Sequence, residues 1–249
     1  MIKIVNVEVM GWEHVIRGMR NPMNSWNKSD SGICKGGDDG IGCEKCAGHD
    51  SCKHAYDNSF QLGKSDHDLM MRLAAGGPTH AKYRRMISVY LDITAPLYWW
   101  KEFDTYKVGT VANSCSTMHK IAEKPFVVED FSVEHLMTDS DDNDCPLLQD
   151  PNDPDNAFSP QNIFMLTLRM LNACRAKYLA TKEKEHWWQM IQLLPSNYNQ
   201  KRTVMLNYEV LAGIYPMRKN HKLDEWVEFC KWIEGLPYSE IIIGEKMED

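Results

Sequence analysis

One stretch of the sequence concentrates side chains that could bind or transform a ligand. Residues 95–119, APLYWWKEFDTYKVGTVANSCSTMH, combine two adjacent tryptophans, two lysines, two acids and a run of small hydroxyl residues. Aromatic rings can stack on a planar base, lysine attracts a phosphate, and hydroxyl and amide groups hydrogen-bond without bulk. These residue types make the stretch a candidate ligand site, and an amphipathic helix with a capped end is the alternative.

The first half of this stretch favours a helix. Proline suits a first helical turn, so we expect a helix that starts near Pro96, with Thr94 as its cap. On that helix Lys101 lies one turn from Asp104, while Trp100 lies on a more apolar side, from which it could still stack on a planar ring.

Hydrophobic periodicity predicts the elements around this stretch. Residues 2–9 alternate as a strand, and the segment MISVYLDI, 86–93, places its apolar residues on one face. Ser65 followed by Asp68 resembles a capping box, and Ser159 precedes a proline at the start of a long helix. Further helices are predicted through WEHVIRGM, from 65 to the Gly-Gly-Pro at 76–78, through EHWWQMIQLL, through YEVLAGIY as far as Pro216, and around Leu223, Trp226, Val227 and Cys230, with a strand at KRTVML.

The composition and net charge of the chain favour a globular protein and argue against some classes of function. Helices outnumber strands along the 249 residues, which predicts a single α+β domain over 1–249. The net charge of −7 argues against a broad grip on duplex nucleic acid. No apolar run approaches the roughly 20 residues that span a bilayer, and the first residues do not resemble a signal peptide. We therefore expect a cytoplasmic protein that does not enter membranes.

A cysteine-rich insertion at about 30–56 is a candidate metal site. Cys43 and Cys46 form a Cys-x-x-Cys pair that can place two thiolates on one tetrahedral ion, and Cys34 and Cys52 could complete it. The second such pair, typical of zinc knuckles, is missing from the segment. Structural zinc and reduced, solvent-facing thiols therefore both stay open.

An acidic loop at about 128–159 contains DSDDND and DPNDPDNAFSP. Its spacing of acids faintly resembles a calcium loop, but the required glycine and closing glutamate are missing. A solvated run of charges is the favoured interpretation.

The order of strand, Ala-Pro, helix, short turn and hydroxyl-rich loop resembles the flavin-dependent thymidylate synthases, the ThyX family. The likeness continues in LPSNYNQKRTVMLNYEVLAGIYPMR, 194–218, and in the helix after it, and upstream in LMMRLAAGGPTHAKYRRMISVYLDI, 69–93. It leaves out the cysteine-rich and acidic segments. The resemblance implies the fold of that family, with an antiparallel sheet and several helices.

The resemblance also implies an activity in nucleotide biosynthesis. It implies a methyltransferase in which reduced flavin, as FAD, supports one-carbon transfer from methylenetetrahydrofolate to the pyrimidine of deoxyuridylate (dUMP), with NADPH as a candidate co-substrate. The reaction or substrate could be altered. It further implies a homotetramer with sites built between subunits.

Carried over by position, the resemblance assigns a set of site residues. The Arg-His-Arg signature of the family is replaced here by residues 105–107, Thr-Tyr-Lys, and Glu209 replaces an arginine. Because lysine lacks the bidentate fork of arginine, a non-catalytic nucleotide- or partner-binding protein on the same scaffold is the alternative. The substrate set is Lys101, Glu102, Lys107, Asn113, Ser116 and Arg218, the cofactor set is Tyr106, Lys107 and Asn207, and Lys101, Lys107 and Arg218 are expected to hold one phosphate.

Overall fold

The structure is a computed structural model that describes residues 1–34, 60–138 and 144–244. Its helices are α1 (Trp12–Arg20), α2 (Lys64–Ala75), α3 (Leu97–Phe103), α4 (Thr117–Lys120), α5 (Pro160–Thr181), α6 (Lys184–Leu193), α7 (Tyr208–Arg218), α8 (Asp224–Glu234) and α9 (Glu240–Ile243). Its strands are β1 (Lys3–Met10), β2 (Gly32–Ile33), β3 (Phe60–Gln61), β4 (Ser88–Pro96), β5 (Val111–Ser114), β6 (Leu148–Asp150), β7 (Asp153–Phe158) and β8 (Asn199–Asn207). Short 3-10 helices lie at Asn21–Met23, Trp26–Lys28, Ala81–Met86 and Val128–Asp130.

Four strands form the main sheet, in the order β1-β4-β8-β5. The pairs β2-β3 and β6-β7 form separate antiparallel ribbons. The mixture of helices with an antiparallel sheet confirms the predicted α+β class. The domain bounds of 1–249 and the two insertions stay predictions.

The predicted alternation of the strand before Ala-Pro is confirmed in β4. Val89, Leu91 and Ile93 are buried, whereas Tyr90 is exposed. This is the pattern of a strand with one face on the core.

Contacts group the residues into two compact units, each made of several chain segments. Unit 1 comprises Met1–Ile4, Ile93–Thr105 and Asn113–Thr203, and unit 2 comprises Val5–Asp92, Tyr106–Ala112 and Val204–Asp249.

Unit 1 contains a core between α5 and α6. Phe164, Leu168 and Leu171 point from α5 into a buried cluster with Met190 of α6. The predicted start of α5 is confirmed, because the hydroxyl of Ser159 accepts the backbone N–H of the third helical residue and completes a capping box.

Unit 2 contains a core around α7. Tyr208, Leu211 and Ile214 of this helix are fully buried, as are Trp226 and Phe229 of α8. The helix continues past Pro216 to Arg218, so the predicted stop at the proline is wrong. Its last turn is closed without the proline N–H, by a bond from the residue after α7 back to the carbonyl of Tyr215.

Two predicted helix caps are wrong because more distant groups supply them. In α2, the carboxylate of Asp30 accepts the backbone N–H groups of Ser65 and Asp66 at 2.9 and 3.1 Å, and no Ser65–Asp68 capping box forms. A cap can come from any part of the chain that reaches the orphan donors.

The start of α3 shows the same effect. Thr94 lies within β4 and does not cap the helix. Instead, the backbone N–H groups of Leu97 and Tyr98 donate to the carbonyls of Tyr198 and Ser196, both at 3.0 Å.

Among the described helices, none is long and apolar enough to cross a membrane. Cys43, Cys46 and Cys52 lie outside the described residues, while Cys34 is buried. The zinc site therefore stays a prediction.

Candidate functional site

The richest arrangement of predicted site residues in unit 2 surrounds Arg218, the last residue of α7. A cation is favoured at a helix C-terminus, where backbone carbonyls lack helical partners. Its surroundings include three side chains, and together with the arginine we call them the Arg218 cluster: Tyr106, Arg218, His221 and Trp226.

The contacts of the Arg218 cluster fix both the edge and the plane of the guanidinium. Its Nε donates to the hydroxyl of Tyr106 at 2.9 Å, and its Nη1 lies 2.9 Å from Nε2 of His221. The guanidinium carbon stacks 4.5 Å from the ring centroid of Trp226 and 5.7 Å from that of Tyr106. Because Trp226 is fully buried, the stacking surface is rigid.

The charge of Arg218 also acts on a neighbouring thiol. Burial raises the pKa of Cys230 to about 11, the carboxylate of Glu234 adds to the increase, and Arg218 opposes it. Burial and the same carboxylate, which accepts the hydroxyl of Tyr215 at 2.8 Å, raise the pKa of Tyr215 to about 12. Both groups are therefore neutral near pH 7.

The predicted cofactor residue Asn207 lies beside the loop that follows Tyr106. Its Oδ1 accepts the N–H of Val210 at 3.1 Å and so caps α7. Gly109 has a φ of +80°, and a Cβ there would lie 2.9 Å from Nδ2 of Asn207, so this position favours glycine. The hydroxyl of Thr110 is buried and has no hydrogen-bond partner within the described residues.

Glu209, at a position where the resemblance implies an arginine, is paired with a cation. Its Oε2 lies 3.8 Å from Nη1 of Arg84, within ion-pair range but too far for a hydrogen bond. Both side chains are largely buried. The attraction lowers the cost of placing the carboxylate there, although its Oε2 is buried and has no hydrogen-bond partner in the described part of the chain.

The other predicted substrate residues are on the surface or have local structural contacts. Lys101 and Asn113 of unit 1 are exposed, and Glu102 on α3 is half-buried. Lys107 of unit 2 is exposed. The hydroxyl of Ser116 caps α4 by accepting the backbone N–H of the residue three positions on, at 3.1 Å.

The structure therefore brings Tyr106 to Arg218 and the Gly109 loop to Asn207. That Lys101, Lys107 and Arg218 jointly hold a phosphate stays a prediction. Sequence reasoning did not include Trp226 or His221 in the site, because the helical spacing of Trp226 identified it only as a core residue.

A second stacked arginine, in unit 1, also escaped sequence reasoning. The guanidinium carbon of Arg202 lies 4.2 Å from the ring centroid of Trp100, its Nη1 is 2.7 Å from Oδ1 of Asp104, and its Nε donates to Gln200 at 3.0 Å. Trp100 is only 1% exposed. The expectation that Trp100 stacks on a ligand ring is therefore wrong, because Arg202 and the core cover it.

A cavity of about 490 Å³ in unit 1 contains none of the predicted site residues. Its wall includes Tyr98, Phe164 and Asn197 but neither lysine nor arginine. Such a lining does not suit a phosphate.

Two solved structures share this fold along nearly the whole chain. One is thymidylate synthase X (ThyX) from Helicobacter pylori with FAD and dUMP, with a TM-score of 0.58, 13% identity and coverage of 98% of both chains. The other is a flavin-dependent thymidylate synthase ThyX from Helicobacter pylori complexed with FAD and dUMP, with a TM-score of 0.56, 13% identity and coverage of 99% of this chain and 100% of that one. No family model and no curated protein matches the sequence. The fold is that of the flavin-dependent thymidylate synthases.

Proposed function

We propose that the chain is an enzyme of the flavin-dependent thymidylate synthase kind. It transfers a one-carbon unit from methylenetetrahydrofolate to the pyrimidine of dUMP, with NADPH as the candidate reductant, and it works as a homotetramer. The observation that carries this proposal is the fold shared end to end with two proteins solved with FAD and dUMP.

In this proposal, the chain contributes mainly charge and orientation at the nucleotide. Arg218 lies at the position of a nucleotide-contacting arginine in the resembling family. A guanidinium held in one plane can stabilise negative charge as it develops on a pyrimidine, because its dipoles need no reorganisation during the reaction. Lys101 and Lys107, both exposed, supply point charges for a phosphate.

The residues present fit a flavin in the loop that follows α3. The Thr110 hydroxyl is a buried group lacking a protein partner in the described part of the chain, and a buried hydroxyl without one costs about 1–3 kcal/mol. Heteroatoms of a flavin ring offer that partner, with Tyr106, Lys107 and Asn207 as the other residues that would hold it. A bound reduced flavin supplies hydride.

Three measurements on the purified protein test the proposal. We expect a flavin absorbance spectrum, with or without added FAD, and a calorimetric signal for dUMP. We also expect release of tritium from dUMP labelled at C5, because attachment of a carbon there must replace that hydrogen. A colourless protein that takes up no FAD and releases no tritium would contradict the proposed reaction.

A second candidate function is a binding protein that uses the same scaffold without catalysis. It is favoured by the structural contacts of predicted site groups: Ser116 and Asn207 cap helices, and Glu209 pairs with Arg84. This alternative predicts dUMP binding without tritium release, even when FAD and methylenetetrahydrofolate are supplied.

A further inference from the structure

We infer that the exposed face of α5 pairs with the same face of a second copy of this chain, with the two helices antiparallel. This inference goes beyond the proposed function, in which the homotetramer does not specify the surfaces that join its copies. It concerns a face that carries none of the residues assigned to the nucleotide or the flavin.

Helix α5 has apolar side chains on two opposite faces. One face is buried in the core of unit 1 with Phe164 and Leu171. On the opposite face Ile163, Leu166 and Met170 are 39, 47 and 54% exposed. A surface helix usually carries polar or charged residues on that side. A second apolar face that is exposed to solvent indicates a contact with another surface.

The exposed face follows the spacing of a coiled-coil seam. Steps of three and four residues alternate along it, as in the a and d positions of a heptad, and its members, here called the α5 stripe, are Ile163, Leu166, Met170, Ala173, Lys177 and Ala180. All of these residues are exposed. A lysine fits such a seam, because its methylene stem lies along apolar surface while its charge stays in water.

The sizes of the side chains in the α5 stripe favour an antiparallel pair. The large side chains occupy its first half, whereas Ala173 and Ala180 occupy its second half. A two-fold axis midway between Met170 and Ala173 places Met170 opposite the partner's Ala173 and Ile163 opposite the partner's Ala180. Large side chains then face small ones, which fills the space between the helices. A parallel pair would set alanine against alanine and leave a gap.

Charge favours the same orientation. The ribbon β6-β7 carries Asp150 and Asp153, and an apolar cavity of about 500 Å³ joins this ribbon to Ile163 at the start of the α5 stripe. Two exposed cations, Lys177 and Lys182, lie at the other end of α5. An antiparallel pair therefore brings the basic end of each copy towards the acidic ribbon of the other, whereas a parallel pair brings like charges together.

Leu166→Glu tests whether the α5 stripe joins two copies. The two-fold axis applies this change twice, and burial of the carboxylates should weaken the pairing by roughly a hundredfold or more. Native mass spectrometry at micromolar concentration should then show half as many copies as in the unaltered protein, because a two-fold contact joins copies in pairs.

Leu179→Glu is the matched control. Leu179 is 39% exposed on the same helix but lies outside the α5 stripe. This variant should keep the number of copies of the unaltered protein. Both changes are made at exposed positions, so circular dichroism should show the helix content of the unaltered protein in each variant.

The double variant Ile163→Cys/Ala180→Cys tests the orientation. The two positions lie about 25 Å apart along one helix, so a disulfide between them cannot form within one chain. In the antiparallel pair each new cysteine faces the other one on the partner, and mild oxidation should yield a covalent dimer. Each single variant should yield no more of it than the native cysteines of the unaltered protein do. A parallel pair would instead link Ile163→Cys to itself.

Three results would each overturn the inference. These are an unaltered protein that is monomeric at micromolar concentration, a Leu166→Glu protein with an unchanged number of copies, and equal disulfide formation in the double and single variants. The proposed reaction is decided separately, by flavin uptake and tritium release, so its failure is distinguishable from the failure of this contact.

Discussion

Each unit holds an arginine stacked on a buried tryptophan, and the two arrangements differ in what contacts the edge of the guanidinium. In unit 1, Arg202 lies over Trp100 and pairs with the carboxylate of Asp104. In unit 2, Arg218 lies over Trp226 and contacts a phenol and an imidazole. A buried tryptophan therefore carries a guanidinium that pairs with a carboxylate in unit 1 and a guanidinium that donates to a phenol in unit 2.

In the proposed function the ligand contact belongs to Arg218, which stands at the position of a nucleotide-contacting arginine in the resembling family. A carboxylate partner satisfies an arginine as a structural element, so Arg202 is expected to stabilise unit 1. The hydrogen bond from Arg218 to Tyr106 restricts the geometry of the guanidinium, which is typical of supported functional groups.

The two buried tryptophans should contribute about equally to the free energy of unfolding. Trp100→Ala and Trp226→Ala each remove a fully buried aromatic ring, and each should lower the free energy of unfolding by about 3–5 kcal/mol. Chemical denaturation at pH 7 measures this. A loss below about 1 kcal/mol at either position would show that its tryptophan is not a core platform.

A third arginine, Arg20, differs from the other two because it and its carboxylate partner are both buried. Arg20 is 4% exposed, and its Nε lies 2.5 Å from Oδ1 of the fully buried Asp66, which also accepts hydrogen bonds from Ser29 and Ser31. Asp66→Asn leaves a buried cation without its counter-charge and should cost about 3 kcal/mol at pH 7, near the lower end for such pairs, because Asn still accepts hydrogen bonds.

The contribution of Asp66 to the stability of the fold should decrease as the pH falls. Burial alone raises the pKa of the Asp66 carboxyl, but hydrogen bonds from Ser31, Ser29 and Arg20, with the charge of Arg20, lower it overall. A lowered folded-state pKa stabilises the protein above the unfolded value of about 3.9, and this stabilisation is lost as pH falls through the folded-state pKa. The free energies of unfolding of the unaltered protein and of Asp66→Asn, measured by chemical denaturation, should therefore approach each other as the pH falls. A gap that stays constant from pH 7 to pH 3 would contradict the ionised pair.

Thiol reactivity provides a test of the surroundings of Arg218. Cys230 is buried with a pKa of about 11, whereas Cys115 of unit 1 is exposed. A pKa raised by about two units lowers the thiolate fraction of Cys230 at pH 8 on the order of a hundredfold, so iodoacetamide should label the exposed Cys115 well before the buried Cys230. Peptide mass spectrometry over a time course checks this. Comparable rates would mean that the α7–α8 region opens readily.

The smallest effect is expected at the edge of unit 1. Asp104 is about half exposed, so Asp104→Asn should cost about 0.5–1 kcal/mol of stability and leave dUMP affinity unchanged. Thermal unfolding and calorimetry check the two parts. A weakened dUMP affinity would erase the distinction drawn between the two stacked arginines.

The sequence predicts the elements well but not the contacts between distant residues. Periodicity identified β4 and α5 because each buries one face along a local repeat. It could not reveal that Asp30 caps α2, because that contact depends on the path of the chain between the two residues. The bond between Tyr106 and Arg218 has the same origin, and no local pattern in either segment signals it.

The resemblance to the family singled out Arg218 as a site residue but did not predict which side chains surround it. Tyr106 was expected to face a flavin, and the structure shows its hydroxyl accepting from Arg218. Trp226 followed the apolar spacing of α8, which predicts burial and says nothing about what stacks on a ring. Helical spacing predicts which side chains are buried, but the partner of a buried ring can only be seen in the folded structure.

The most direct test of the account is the affinity for dUMP of Arg218→Ala compared with Arg202→Ala. Both variants remove a guanidinium from a tryptophan face. Loss of a charge-assisted contact should weaken binding by roughly tenfold or more in Arg218→Ala, whereas Arg202→Ala should bind within about twofold of the unaltered protein. Equal affinities of the two variants, or no dUMP binding by the unaltered protein, would contradict the account.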